Sequence, residues 1–307
     1  MHIFMGDHHM RQRRIAAAAA GVVLMAGLTA CGGSSDSGDG GSGGSKDKAK
    51  LSPVEAALAD LKQASESTQE QNSAKVVSDQ TQGTPQGEMS TRSEGSIDWS
   101  GGGTTAEMTV TQKGSGSGMP SSGKPMPARY TEDAMYINLG DEFAASSGKG
   151  KHWVKYDYDK LAEQGGPSGA LVKDQMQNNN PARSVDLLLA SGKVKKVGTD
   201  NVKGVRTDHY SGTIKVSELA RMQSKNLSER ELDQLADQLE QQGFKTETVD
   251  LWIDEDDLLV KKQEKAKGKY GDMDSTVHYT DYGTKVSVEE PPASDTLPFE
   301  QMLGSQS

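Results

Sequence analysis

The chain has 307 residues, a formal net charge of −10, and only 33% hydrophobic and 5% aromatic residues. That charge excludes electrostatic binding to nucleic acid or to an anionic bilayer, and the small apolar share predicts a thin core supplemented by the stems of long polar side chains. A single cysteine, Cys31, excludes a disulfide framework.

The first element is a leader. Arg11, Arg13 and Arg14 precede an uncharged run of fourteen residues from Ile15 to Leu28. A spanning helix needs about 20 apolar residues, so the run has the length of an export-signal core. Leu28, Thr29 and Ala30 then lead into Cys31. This "LTAC" box resembles the lipobox of bacterial lipoproteins. The resemblance implies a signal peptide of residues 1–30, cleavage before Cys31, and a diacylglycerol thioether on its sulfur, with fatty acids such as palmitate as the anchor. Two other outcomes fit the same residues: a secreted protein cut nearby with an incidental cysteine, and a short anchor helix left uncut. An acylated thiol forms no disulfide, so stability has to come from burial. Each buried CH₂ of an acyl chain contributes roughly 0.8 kcal/mol, and two or three chains make a durable anchor. Residues 32–50 continue in Gly, Ser, Asp and Lys, with nothing apolar larger than Ala49, so 31–50 predict a lipidated, flexible tether. No later stretch is apolar for long enough to span a membrane.

The folded part opens with a helix over 53–67, because Ser52, Pro53 and Glu55 supply a cap, a first-turn proline and a capping-box acid before Val54, Leu58 and Leu61 recur at helical spacing. From residue 73 short runs rich in Thr, Ser and Val, broken by glycine, predict successive antiparallel strands: "SAKVVSDQTQ", "EMSTRSEGSIDW" and "TTAEMTVTQK". Residues 114–127 predict a mobile loop, and strand signals resume in "PARYTED", "AMYINL" and "KHWVKYDYDK". Residues 159–178 are ambiguous around "GGPSG". A helix over 181–190 should stop at Gly192, "KVKKVGTD" and "VRTDHYSGTIKV" form a hairpin across "NVKG", and a second capping box at Ser228 and Glu231 begins a helix that stops at Gly243. Three more strands, "KTETVDLWID", "LLVKKQEKAKG" and "DMDSTVHYTDY", followed by "GTKVSVEEPP", close the domain, and residues 293–307 read as a loose tail, with "LPFEQML" the part best suited to docking. Strands adjacent in sequence, with helices gathered between two strand blocks, predict an α+β fold on an antiparallel sheet.

The closing stretch "TVDLWIDEDDLLVKKQEKAK" followed by "STVHYTDYGTKVSVEEPP" resembles the LppX/LprG group of actinobacterial lipoproteins. It has a strand with Trp252 at its centre, an acidic turn, an amphipathic basic strand, Asp-Tyr-Gly, and Val-x-Val before Pro-Pro. The likeness spans most of residues 51–292. It implies a LolA/LolB-like fold: a strongly curved antiparallel sheet, or half-barrel, packed on helices around an apolar cavity that accepts acyl chains.

Strand alternation gives the candidate wall of such a cavity: Val249, Leu251 and Ile253; Met135 and Ile137, continuing to Leu139; Ile97 and Trp99; Met108 and Val110. Each of these rows is equally consistent with ordinary core. Catalysis has little to stand on. His152, His209 and His278 are widely separated, without the close pair that zinc sites usually show. The letters "GSGSG" from Gly114 lack the strand-to-helix setting of a nucleophile elbow, and "DEDD" at 254–257 lacks the spacing of a calcium loop and reads as an acidic turn. No catalytic residue, metal or cofactor is expected.

The reading that follows is an exported lipoprotein on the outer face of the cell membrane, anchored through Cys31. Its monomeric domain would bind an acylated amphiphile (lipid, glycolipid or lipopeptide) and carry it towards the cell envelope. The alternative is a non-transport interaction or signalling lipoprotein whose curved sheet binds an envelope protein. A two-lobed solute-binding protein is disfavoured by the lack of strand-helix alternation, and a hydrolase by the lack of a nucleophile.

Overall fold

A computed structural model describes residues 51–101, 103–114, 123–223 and 228–303. The leader, Cys31 and the tether lie outside the described residues, as does most of the "GSGSG" segment.

The capping box forms as the sequence demands: Ser52 Oγ accepts from the Glu55 N–H at 3.2 Å, and Glu55 returns a carboxylate to the Ser52 N–H at 2.8 Å. Helix α1 runs Pro53–Glu70, one turn beyond the expected end, and buries Ala57, Leu61, Ala64, Ser65 and Thr68. Small residues on that stripe let it lie close to helix α4 (Pro181–Ser191), which is capped by Asn180 and closed by Gly192 at φ 61°.

The strands are β1 (Ser73–Thr84), β2 (Gly87–Asp98), β3 (Thr105–Gly114), β4 (Pro125–Tyr130), β5 (Ala134–Asn138), β6 (Trp153–Asp157), β7 (Val194–Val202), β8 (Val205–Lys215), β9 (Thr246–Ile253), β10 (Leu259–Ala266), β11 (Met273–Thr280) and β12 (Thr296–Pro298). They form one open, curved sheet in the order β12-β6-β5-β4-β3-β2-β1-β11-β10-β9-β8-β7. All pairs are antiparallel except β12 with β6. The architecture is the expected α+β class. Gly95 in β2 marks a close approach between strands, since a Cβ there would stand 2.1 Å from the Glu107 carbonyl oxygen of β3. The β7–β8 turn places Lys203 and Gly204 at φ 51° and 93°, the paired left-handed geometry of a two-residue hairpin.

The remaining helices are α2 (Gly140–Ser146), α3 (Tyr158–Gln177), α5 (Val216–Gln223), α6 (Glu229–Gln241) and α7 (Phe299–Leu303). The ambiguous 159–178 segment is helical, with the "GGPSG" signal surviving as a kink at Gly166 (φ 55°) before Pro167. Two main apolar clusters result. One joins α1 and α4 to β7–β11 and β1–β3, and the other joins α2 and α3 to β3–β6.

Two expectations are corrected. The expected loop over 114–127 ends earlier, because Pro125 already begins β4. The "GTKVSVEEPP" stretch that follows β11 joins no ladder, and Arg129 donates to its Glu289 carbonyl at 2.9 Å. The described part of the segment after Pro292, residues 293–303, does not hang loose: Leu297 is 1% exposed, β12 pairs with β6, and Phe299 packs on Tyr156 at 4.7 Å between ring centroids. The edge of β6 leaves a row of open backbone groups, and these residues cover it.

Candidate cavity in the half-barrel

Part of the inner face of the sheet is left open along the β1–β3 margin of the larger cluster. Val76, Ser78 and Gln80 of β1, Thr91, Ser93 and Ile97 of β2, Ala106 and Met108 of β3, and Ser275, Val277 and Tyr279 of β11 line a cavity, closed by Tyr130, Met176 and Asn179. Its volume, counted as space open to the centres of water molecules, is about 80 Å³. One water needs roughly 10–15 Å³ on that measure, so the cavity holds a handful of waters or a short stretch of chain.

Ladder register gives the cavity a direction. Val76 stands opposite Tyr279 on one side and Gly95 on the other; two residues on, Ser78 faces Val277 and Ser93; two further, Gln80 faces Ser275 and Thr91. The lining therefore grades from Val76, Ile97, Met108 and Tyr279 at one end to hydroxyls and an amide at the other. None of the lining residues is charged. Burial raises the Tyr130 phenol to about 12 and also raises Tyr279, so both stay neutral hydrogen-bonding groups. The cavity can take an apolar chain at one end and a neutral hydrogen-bonding group at the other.

Of the nine residues chosen from sequence, Ile97 and Met108 line this cavity. Trp99, Val249, Leu251 and Ile253 fill the larger core cluster, and Val110, Met135 and Ile137 fill the smaller one. The reason is size. Large apolar rows occupy the space they face, so the opening lies where inner-face residues are small or polar. Ser78, Ser93, Gln80 and Thr91 were missed for that reason, and their signal was available: central strands that are polar on both faces cannot be closed by packing.

The other singled-out residues lie elsewhere. His152 Nδ1 bonds Asp295 at 2.7 Å, and Nε2 approaches Asp141 at 3.3 Å. His209 stacks on Trp252 at 4.3 Å and bonds Asp250 at 2.9 Å, while the Trp252 indole donates to Asp200. His278 is lowered by burial and then by Lys203 and Lys261. Asp254 organises the acidic turn, its carboxylate accepting from the Asp256 and Leu258 N–H groups. Among the described residues no group of three potential metal ligands comes together.

No family model matches the chain. A protein of Streptomyces griseus, described as an "Uncharacterized 31.2 kDa protein in rplA-rplJ intergenic region", is 45% identical over 258 residues, covering 83% of this chain and 81% of its own length. "Putative lipoprotein SCO4650" of Streptomyces coelicolor is 35% identical over 309 residues, covering 96% of this chain and 97% of its own. The chain belongs to their family. Similar solved structures include the Mycobacterium tuberculosis lipoprotein LppX (15% identity, TM-score 0.47, 76% of this chain and 98% of that one). LprF of Mycobacterium bovis is another (17% identity, TM-score 0.46, 78% and 99%).

Proposed function

We propose that the chain is an exported lipoprotein, held at the outer face of the cell membrane through Cys31, whose domain binds an acylated amphiphile and passes it towards the envelope without catalysing a reaction. The observation that carries this reading is the uncharged lining of the β1–β2–β3–β11 face, apolar at the Val76 end and hydroxyl-bearing at the Gln80 end. Apolar atoms leave the bilayer for the cavity, and their burial offsets extraction at about 25 cal/mol per Å². The lipoprotein name of a full-length relative supports the anchor, and the tether would let the cavity mouth reach the membrane surface. The test is native mass spectrometry of the domain without residues 1–50, expressed in a lipid-containing host. A bound lipid that disappears in Ile97→Trp is expected. An empty domain that also takes up no added fatty acid would overturn the reading.

A further inference from the structure

Beside the cavity lies a group of charges that the reading above does not use. Lys262 and Glu264 on β10 are 0% exposed, and Glu247 on β9 is 3% exposed. Lys262 Nζ stands 3.0 Å from Glu264 Oε1, yet that Nζ, both Glu264 oxygens and Glu247 Oε1 have no aligned hydrogen-bond partner among the described residues. Burial and then the Glu264 charge raise the Glu247 carboxyl, so it keeps its proton. With Lys262 and Glu264 paired, the group carries no net charge but holds unused donors and acceptors side by side. The fold itself does not require them, because replacing a buried ion pair by apolar side chains of similar volume is often neutral or stabilising.

The position of this group gives it a meaning. Lys262 faces Leu251 on β9 and Val277 on β11, and Glu264 faces Val249 and Ser275. Val249 and Leu251 are filled core, whereas Ser275 and Val277 line the cavity, so the two charged side chains leave the sheet where packing gives way to open space. Glu264 also continues the polar end of the cavity. Thr91, Gln80, Ser275 and Glu264 stand opposite one another in turn on β2, β1, β11 and β10. Opposed Cβ atoms are roughly 4.5–5.5 Å apart, so the Glu264 carboxylate can reach the cavity over Ser275, one of the smallest side chains. Glu247 lies diagonally beyond, opposite Ala266. Tyr279, another lining residue, registers both charges: burial raises its phenol, Lys262 lowers it and Glu264 raises it further.

We propose that Lys262, Glu264 and Glu247 select the ligand's head group: they take an uncharged head that both donates and accepts hydrogen bonds, a hydroxyl or an amide held over Ser275, and they reject carboxylate, phosphate and quaternary ammonium heads. The Lys262 ammonium has donors to spare and Glu264 has lone pairs to spare, and only a head with both functions uses both. A carboxylate or phosphate brings a charge that Glu264 repels and that Lys262, already paired, does not offset. A quaternary ammonium has no N–H for Glu264 to accept. The inference rests on the amphiphile-binding reading and adds what the polar end of the cavity recognises.

The test is calorimetric titration of the full-length Cys31→Ser protein, which has no acyl anchor of its own to compete, with probes that share an oleoyl chain: mono-oleoylglycerol, oleamide, oleate and oleoyl-lysophosphatidylcholine. The first two should bind at least about tenfold more tightly than the last two, the scale of one lost hydrogen bond to a charged group. Equal affinities, or a preference for oleate, overturn the proposal and leave amphiphile binding standing, whereas binding of none defeats both. Glu264→Gln keeps the shape and leaves the Lys262 charge uncompensated, so oleate should gain about tenfold while mono-oleoylglycerol weakens. Unchanged oleate affinity in that variant, with a native circular dichroism spectrum, shows the group to be structural and overturns the proposal. In the triple variant Lys262→Met, Glu264→Leu, Glu247→Leu all the probes should bind alike, through the chain only; a preference for the neutral heads that survives there has its origin elsewhere and counts equally against the assignment.

Discussion

Replacing Ser93 by leucine should separate a functional cavity from an accident of packing. Ser93 is half-buried, stands between Ser78 and Val110 on the neighbouring strands, and projects into the opening. Unfilled interior space costs about 24 cal/mol per Å³, so filling all of the roughly 80 Å³ would recover about 2 kcal/mol. A leucine fills part of it, and the expected gain is about 1 kcal/mol, which in a domain of this size raises the melting temperature by about 2–4 °C. The same substitution should abolish uptake of a fatty-acid probe, the exchange of function for stability expected of a ligand cavity. Urea denaturation and a binding titration on one preparation measure both. A loss of about 1–3 kcal/mol with uptake intact would mean that the site is already packed and that the ligand lies elsewhere.

Replacing Cys31 by serine should move the protein from the membrane fraction to the soluble one and abolish incorporation of radiolabelled palmitate. Leu297→Ala, at a residue 1% exposed, should cost about 2–5 kcal/mol locally, read as faster amide exchange in β6 and β12 rather than as global unfolding. Docking of the same segment should depend on pH. The Asp295 hydrogen bond raises His152, and its own contacts with His152 lower Asp295. The His152 contribution is complete below about pH 6.5 and is lost as pH rises through the raised value; the Asp295 contribution is present above about pH 4 and is lost as pH falls through the lowered value. Carboxypeptidase release of the C-terminus should therefore be slowest between those limits, and His152→Ala should flatten the upper side of the profile. Asp174→Ala removes the carboxylate that the Arg183 guanidinium meets at 2.9 Å with both side chains nearly covered, leaves it the Asn178 carbonyl at 2.8 Å, and should cost about 3 kcal/mol in urea denaturation.

Much of this architecture was legible in the chain. Local chemistry announces itself: Ser52 with Glu55 and Ser228 with Glu231 specify helix starts by their spacing, Gly192 specifies a stop, and both boxes and the stop form as read. Helices α2 and α5 were not legible, being short, with α5 continuing directly from β8, so strand periodicity runs into them. The C-terminal segment was misread because its anchoring is tertiary. Leu297 and Asp295 have nothing local to bind and gain their partners from β6 and His152, more than a hundred residues away. The cavity was half legible for a different reason. Hydrophobic rows such as Val249, Leu251 and Ile253 show where space is filled, and an opening is marked by Ser78, Gly95 and Ser93, residues that a search for apolar walls passes over. The buried charges of Lys262 and Glu264 were invisible in a basic strand, since alternation gives a residue's face and not what covers it.

The central claim, an amphiphile held on the inner β1–β2–β3–β11 face, is tested most directly by crystallising the domain with a fatty acid brominated near its methyl end and locating the bromine by anomalous scattering. The account predicts a peak among Val76, Ile97, Met108 and Tyr279, with the carboxyl end towards Gln80 and Thr91. Bromine on the outer face of the sheet, or none in a crystal grown with saturating ligand, would contradict it.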